Sequence, residues 1–124
     1  MTREEAYRRT LYRAGDVLVR VGQRSRSAEA WMAAHGAREA GFITAWNPMS
    51  RVMPPAWNAA AQAMLRRDLR GRPMALGEGS LGRWREEMLL VALPPRDLLR
   101  LARRHRQAAV VTLRRRRQAR LVYR

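Results

Sequence analysis

Apolar and polar residues alternate near the start of the chain, after a short charged segment. Residues 3–9 are mostly charged and predict a short helix. Beyond them, apolar residues alternate with polar partners about an Ala-Gly pair, at Leu11, Val17, Val19 and Val21. This period of two predicts two strands joined by a turn.

Three longer stretches have apolar residues at helical spacing. The first begins after Ser27, a good N-cap, covers residues 28–40 and is stopped by Gly41. The second covers residues 56–70, and the third covers residues 94–106. In the second helix we expect an inward face of Trp57, Ala61, Met64 and Leu65 or Asp68.

The remaining apolar segments are short and predict strands. They cover residues 42–46, 73–76, 86–93, 107–113 and 119–124. The segment 42–46 is apolar or small on both sides, so we expect it to be central. The last two segments predict a hairpin around a turn of four arginines. The glycine-rich sequence that follows residue 76 predicts a loop.

The order of these elements predicts one α+β (or α/β) domain over residues 1–124. We expect a mixed β-sheet packed by about three helices, with a C-terminal β-hairpin and a strongly basic end at residues 113–124. A chain of 124 residues is long enough to form a single core.

The net charge of the chain is the property that indicates most about its function. The chain has 26 basic residues, all of them arginine, against 10 acidic residues, for a net charge of +16. A GC-rich genome accounts for arginine in place of lysine but not for the excess over acids. Arginine binds phosphate in a bidentate manner, so we expect a surface for RNA or DNA, with an acidic protein as the alternative partner. The candidate residues are Arg96, Arg100, Arg103, Arg104, Arg114, Arg115, Arg116, Arg117 and Arg120.

Other classes of function have little support in the sequence. There is no cysteine and no lysine, and the two histidines, His35 and His105, are far apart in the chain. We therefore expect no metal site, no cofactor and, on balance, no enzyme. No apolar run is long enough for a membrane span, and the charged N-terminus is unlike a secretory signal, so we expect a cytoplasmic protein without membrane contact.

The sequence Trp46-Asn47-Pro48 ends the central predicted strand, and Asn58 falls in the first turn of the helix that follows. Two amides beside a tryptophan are suited to binding a planar polar group. Alternatively, Asn47 only forms a turn and Asn58 only fastens the loop between them.

Glu86 and Glu87 are adjacent on a predicted strand, so their side chains point to opposite faces. Glu87 and Glu78 are placed to meet across a hairpin, where two close carboxylates would raise the pKa of one of them. In so basic a chain, a buried Glu–Arg pair is the alternative.

Several motifs occur in series: "FITAWNPMS", Asn58, "GEG", "W-x-E-E" before "LLV", and "LARRHRQAAVV". In this order they resemble a bacterial family of small proteins known as domain of unknown function 3293, over residues 6–112. The resemblance implies that the residues matching the family's pattern are candidates for a functional role. They are Thr44, Asn47, Pro48, Asn58, Gly77, Glu78, Gly79, Trp84, Glu87 and Gln107. The chain departs from the family at Ala56 and Trp57, where acidic residues are usual, and at Met88, where serine is usual.

The pattern and the resemblance together define one candidate ligand pocket. Its residues are Trp46, Asn47, Asn58, Glu78, Trp84, Glu87 and Gln107. The hypothesis of a small-ligand-binding protein or enzyme stands beside the polyanion hypothesis.

Overall fold

The structure is a computed structural model that describes all of residues 1–124. The helices are α1 (Arg3–Arg9), α2 (Arg26–Ala34), α3 (Pro55–Asp68) and α4 (Pro95–Arg104), with a 3-10 turn at Pro48–Ser50. The strands are β1 (Leu11–Ala14), β2 (Val17–Val19), β3 (Glu39–Ile43), β4 (Met74–Leu81), β5 (Trp84–Val91), β6 (Ala109–Arg114) and β7 (Arg120–Tyr123). The predicted order of elements is confirmed.

All seven strands form one sheet in the order β2-β1-β4-β5-β3-β6-β7. The α+β single domain and the C-terminal hairpin of β6 and β7 are confirmed. Every strand pair is antiparallel, so the sheet has no parallel pair, unlike the mixed sheet that we expected. Three of the six pairs are hairpins, and a tight turn can only reverse the direction of the chain.

Each face of the sheet carries its own apolar cluster. On one face, Met88 and Leu90 of β5 pack with Tyr12, Phe42 and residues of α2. On the other face, α3 and α4 cover Leu89, Val91 and their neighbours. Successive side chains of a strand alternate between faces, so β5 contributes residues to both clusters. For this reason the buried part of β5 is a continuous apolar run in the sequence. We call these the α2 face and the α3–α4 face.

Helix α2 is shorter than the sequence pattern predicted. Its N-cap is Ser25, whose Oγ accepts a hydrogen bond from the N–H of Ala28, and not Ser27. It ends before Gly36, which has a φ of +64° and allows the C-terminal turn to close. Residues 39 and 40 therefore belong to β3, and Gly41 lies inside the strand.

The inward face of α3 also differs from the prediction. Leu65 is buried as expected, but the other buried residues are Asn58 and Gln62, whereas Trp57 and Met64 are exposed. Two polar side chains are buried because they hydrogen-bond to the backbone around β3, which a hydrophobic pattern cannot reveal.

The glycine-rich sequence after residue 76 is part of a strand rather than a loop. β4 runs through it and pairs with β5 along eight residues. A Cβ atom on Gly77 would lie 2.3 Å from the carbonyl oxygen of Arg13, so glycine is required for β4 to lie against β1.

Helix α1 lies over the α2 face near the β7 edge of the sheet. It has no fully buried residue, and Tyr7 makes an edge-on contact with Tyr123 of β7, with ring centroids 6.2 Å apart. None of the four helices has the length and apolarity needed to cross a bilayer.

Candidate functional site

Asn47 and Asn58, two residues of the candidate pocket, contact each other. Asn58 is 3% exposed; its Oδ1 accepts a hydrogen bond from the N–H of Asn47 at 3.0 Å. Its Nδ2 donates to Oδ1 of Asn47 at 2.9 Å. This pair, which we call the asparagine clasp, fixes the loop after β3 to the first turn of α3.

The clasp holds a loop with unusual backbone angles. Asn47, Met49 and Ser50 all have positive φ, at 45°, 52° and 64°. Left-handed conformations cost non-glycine residues free energy, and they persist only where the surroundings fix them. A further hydrogen bond, from the N–H of Met49 to the carbonyl oxygen of Arg106 at 2.7 Å, helps to hold the loop in this conformation.

The orientation of the Asn47 amide follows from its partners. Its Oδ1 accepts bonds from the backbone N–H of Met53 and from Asn58. Since a backbone N–H can only donate, the oxygen must be on that side, and the NH₂ group points the other way. That direction leads to Glu86, the carboxyl group with which Asn47 interacts.

Gln107 has an equally defined orientation. Its Nε2 donates to the carbonyl oxygens of Trp46 at 2.9 Å and His105 at 3.3 Å. The amide oxygen of Gln107 is therefore directed away from both carbonyls. Trp46 keeps its indole Nε1 buried without a hydrogen-bond partner.

A cavity of about 410 Å³ lies between α1 and the α2 face of the sheet. Fifteen of its 23 lining residues are hydrophobic. Of the candidate pocket residues, the cavity brings together Asn47, Trp84 and Gln107. Glu86 also lines it, together with Thr10, Tyr7 and Tyr12.

Glu86 is the residue that sequence reasoning missed. It is 8% exposed and lies on the same face as Met88. Burial raises the pKa of its carboxyl group to about 7, although the interaction with the Asn47 amide opposes part of this rise. No arginine forms an ion pair with it. The alternation of β5 placed Glu86 and Glu87 on opposite faces, but only the packing decides which face has the cavity.

Two tyrosines share this apolar environment. Burial raises the pKa of the Tyr7 hydroxyl, and it raises that of Tyr12 further. The carboxyl of Glu86 adds to both increases because a nearby negative charge disfavours a phenolate. Both hydroxyls therefore remain neutral hydrogen-bonding groups at neutral pH.

Glu78 and Glu87 are not part of the cavity. They are cross-strand partners, as the hairpin prediction required, but they lie on the opposite face of the sheet from Glu86. Glu78 pairs with Arg85 at 3.1 Å, and this pair is at the surface rather than buried, with side-chain exposures of 61% for Arg85 and 39% for Glu78.

The nine predicted polyanion-binding arginines are all exposed. Two of them meet a carboxylate: Arg100 lies 3.9 Å from Asp97 and Arg104 lies 3.4 Å from Asp68. The other seven have no ion-pair partner. We call these nine residues the arginine face.

The arginine face joins α4 to the C-terminal hairpin. A cleft of about 620 Å³ is lined by Pro95 at the start of α4 and by four hairpin arginines, Arg114, Arg116, Arg117 and Arg120. At the other end of α4, Arg124 donates to the carbonyl oxygen of Arg103 at 3.4 Å. Glu39 is the one acidic residue in the cleft lining. Arginine also occurs on α1, β1 and α3, so positive charge is not confined to this face.

The histidines have structural partners. His105 contacts Asp68 at 2.8 Å and links α4 to α3, and His35 packs on Trp31 with ring centroids 4.4 Å apart. No group of three or more histidine or acidic side chains is arranged to hold a metal ion.

The fold and site define a small α+β protein with an arginine-rich surface and a separate apolar cavity around one buried carboxyl group. A family model described as "Protein of unknown function (DUF3293)" matches residues 43–110. The chain belongs to this family. The matched segment begins at the last residue of β3 and contains the asparagine clasp, Glu86 and Gln107. No curated protein and no solved structure matches the chain.

Proposed function

We propose that this protein is a binding module for a phosphate-bearing polyanion, RNA or DNA, that acts through the arginine face. The observation that carries the proposal is that seven exposed arginines of this face have no carboxylate partner. Guanidinium groups without an internal counter-ion are free to form bidentate bonds with phosphate.

The arrangement of the face supports an extended ligand. Along α4, Arg96, Arg100 and Arg103 recur at intervals of four and three residues, which places them in one row along the helix. The hairpin turn continues this row, because its arginines line a cleft with the N-terminal end of α4.

Contacts of this kind favour the backbone of a nucleic acid over its bases. The cleft between α4 and the hairpin has no aromatic residue in its lining, so it offers no aromatic platform for base stacking. We therefore propose binding with little sequence preference, in which contacts to phosphate provide most of the affinity. A cytoplasmic location in a bacterial cell is part of this proposal.

Salt dependence tests the proposal directly. Binding of a random 20-nucleotide RNA and a random duplex DNA would be followed by fluorescence anisotropy across a sodium chloride series. If at least four phosphates are contacted, the affinity for duplex DNA should fall about 100-fold between 50 and 200 mM salt.

A pair of variants with equal charge separates a defined face from general attraction. In the first variant, the four consecutive arginines at the hairpin turn are changed to glutamine: Arg114, Arg115, Arg116 and Arg117. In the control, four exposed arginines outside the arginine face are changed to glutamine: Arg9, Arg13, Arg20 and Arg83. The first should lose at least about tenfold more affinity and have a shallower salt slope. Equal losses in both variants would contradict a defined face.

The competing explanation is an acidic protein partner. Polyglutamate of the same charge as the RNA would be added as a competitor at constant salt. If it displaces RNA as efficiently as unlabelled RNA does, the arginine face recognises negative charge in general and the nucleic-acid proposal is rejected.

A further inference from the structure

We propose that the cavity beneath α1 binds a small, neutral and largely apolar molecule with an amide-like polar group, which Glu86, Asn47 and Gln107 contact. This inference rests on the cavity alone and is independent of the proposed polyanion binding. At about 410 Å³, the cavity falls within the range of known small-molecule sites, roughly 300–1,000 Å³.

The apolar walls of the cavity favour a ligand whose main part is apolar. Tyr12, Phe42, Met88 and Val111 line the cavity and are each 7% exposed or less. Leu121 and Trp84 complete the lining toward the rim. An apolar surface of this kind favours a hydrocarbon or aromatic ligand body, because its transfer from water is favourable.

Two amide groups have directions fixed by the protein. The NH₂ group of Asn47 points toward Glu86 and carries two hydrogens, so that one of them can donate to a ligand beside this carboxyl group. The nitrogen of Gln107 contacts two carbonyls, which directs its oxygen away from them. No protein group donates a hydrogen bond to this oxygen, so it can accept one from a ligand. A ligand group with an acceptor next to a donor, as in a primary amide, matches this pair.

Glu86 adds a third polar group that no protein side chain neutralises. In its ionised form the carboxylate accepts a hydrogen bond, and in its protonated form it also donates one. Its pKa of about 7 means that both forms are present at neutral pH. An amide hydrogen-bonds to either form, whereas a buried ligand carboxylate would repel the ionised form.

The other charged and titratable groups at the cavity disfavour a cation. Arg3 of α1 lines the cavity and opposes the attraction of a cation to ionised Glu86, and the neutral Tyr7 and Tyr12 add no negative charge. The net charge of +16 also repels a cationic ligand at a distance. A neutral head group avoids both the repulsion of a carboxylate by ionised Glu86 and the repulsion of a cation by the positive charge of the protein.

Three probes of matched size test this assignment: benzamide, benzoate and benzylamine. Each would be titrated into ¹⁵N-labelled protein while the side-chain NH₂ resonances of Asn47 and Gln107 are followed by NMR. We expect benzamide to bind most tightly, at about millimolar affinity for so small a probe, and to shift both resonances. Tighter binding of benzoate or benzylamine, or no shift with benzamide up to about 10 mM, would overturn the proposal.

Variants of the two adjacent glutamates provide the control. Glu86→Leu should weaken benzamide binding about tenfold, and Glu86→Gln should retain it, because glutamine still offers a donor and an acceptor. Glu87→Gln, on the opposite face of the same strand, should leave the affinity unchanged. If Glu86→Leu, with its fold verified by circular dichroism, binds benzamide as wild type does, Glu86 has no part in the site.

Discussion

Glu86 and Glu87 are neighbours in one strand, yet the sheet places them in different surroundings. Glu86 faces an apolar cavity and is buried, whereas Glu87 is partly exposed on the α3–α4 face. The sequence predicts that the two side chains diverge, but it does not predict which of them loses contact with water. The buried carboxyl group is the residue whose behaviour should depend most on pH.

The pKa of Glu86 is about 7 in the folded protein, against an ordinary value of 4.5. Between these values the folded protein retains a proton that the unfolded chain has released. The free energy of unfolding should therefore decrease as the pH rises through this window and level off above it, by on the order of 3 kcal/mol in total.

Urea unfolding of the wild type and of Glu86→Gln at several pH values measures this contribution. The variant should lack the decrease between pH 4.5 and 7 and be more stable than the wild type at pH 8. Glu87→Gln is the matched control and should retain the decrease. If Glu86→Gln and wild type follow parallel curves, the carboxyl group is not buried in the manner described.

At the scale of elements, the positions of helices and strands follow from local sequence, while the packing faces do not. The order of elements was correct because the apolar periodicity and the proline and glycine breaks are local signals. The inward face of α3 was right only in part, at Leu65, because Asn58 and Gln62, both polar, are buried by bonds to distant backbone atoms. The glycine-rich second half of β4 was mistaken for a loop, because the sequence does not reveal that Gly77 allows a close approach to β1.

The asparagine clasp connects the end of β3 to α3, and its loss should destabilise the fold. In Asn58→Ala, the N–H and the side-chain oxygen of Asn47 each lose a partner in a largely buried setting. We expect a decrease of about 2–3 kcal/mol in the free energy of unfolding. Chemical denaturation measures the decrease.

The control for this experiment is Met64→Ala on the same helix, since Met64 is 58% exposed. Its effect should be below about 0.5 kcal/mol. A similar small effect for Asn58→Ala would show that the clasp does not hold the loop.

At the scale of the whole molecule, the net charge of +16 acts on the fold itself. Five of the 26 arginines form ion pairs, so most of the positive charge has no internal compensation. Mutual repulsion of these groups destabilises the compact state. Salt should therefore stabilise the protein by shortening the Debye length from roughly 30 Å at 0.01 M to roughly 10 Å at 0.1 M.

The urea midpoint at several sodium chloride concentrations measures this effect, because urea adds no ionic strength. The midpoint should rise with salt in the wild type. The variant with glutamine at residues 114–117 carries four fewer positive charges, and its midpoint should rise less. A midpoint that does not change with salt would show that repulsion between arginines has no net influence on stability.

The sequence by itself determined the order of the elements, the single α+β domain, the family and the excess of positive charge. These properties depend on composition and on neighbours along the chain. Only the tertiary structure decided that the sheet is entirely antiparallel, that Asn47 and Asn58 bind each other, and that Glu86 rather than Glu87 faces the cavity. Those outcomes depend on contacts between residues that are distant in sequence, and the cavity exists only once α1 has packed against the finished sheet.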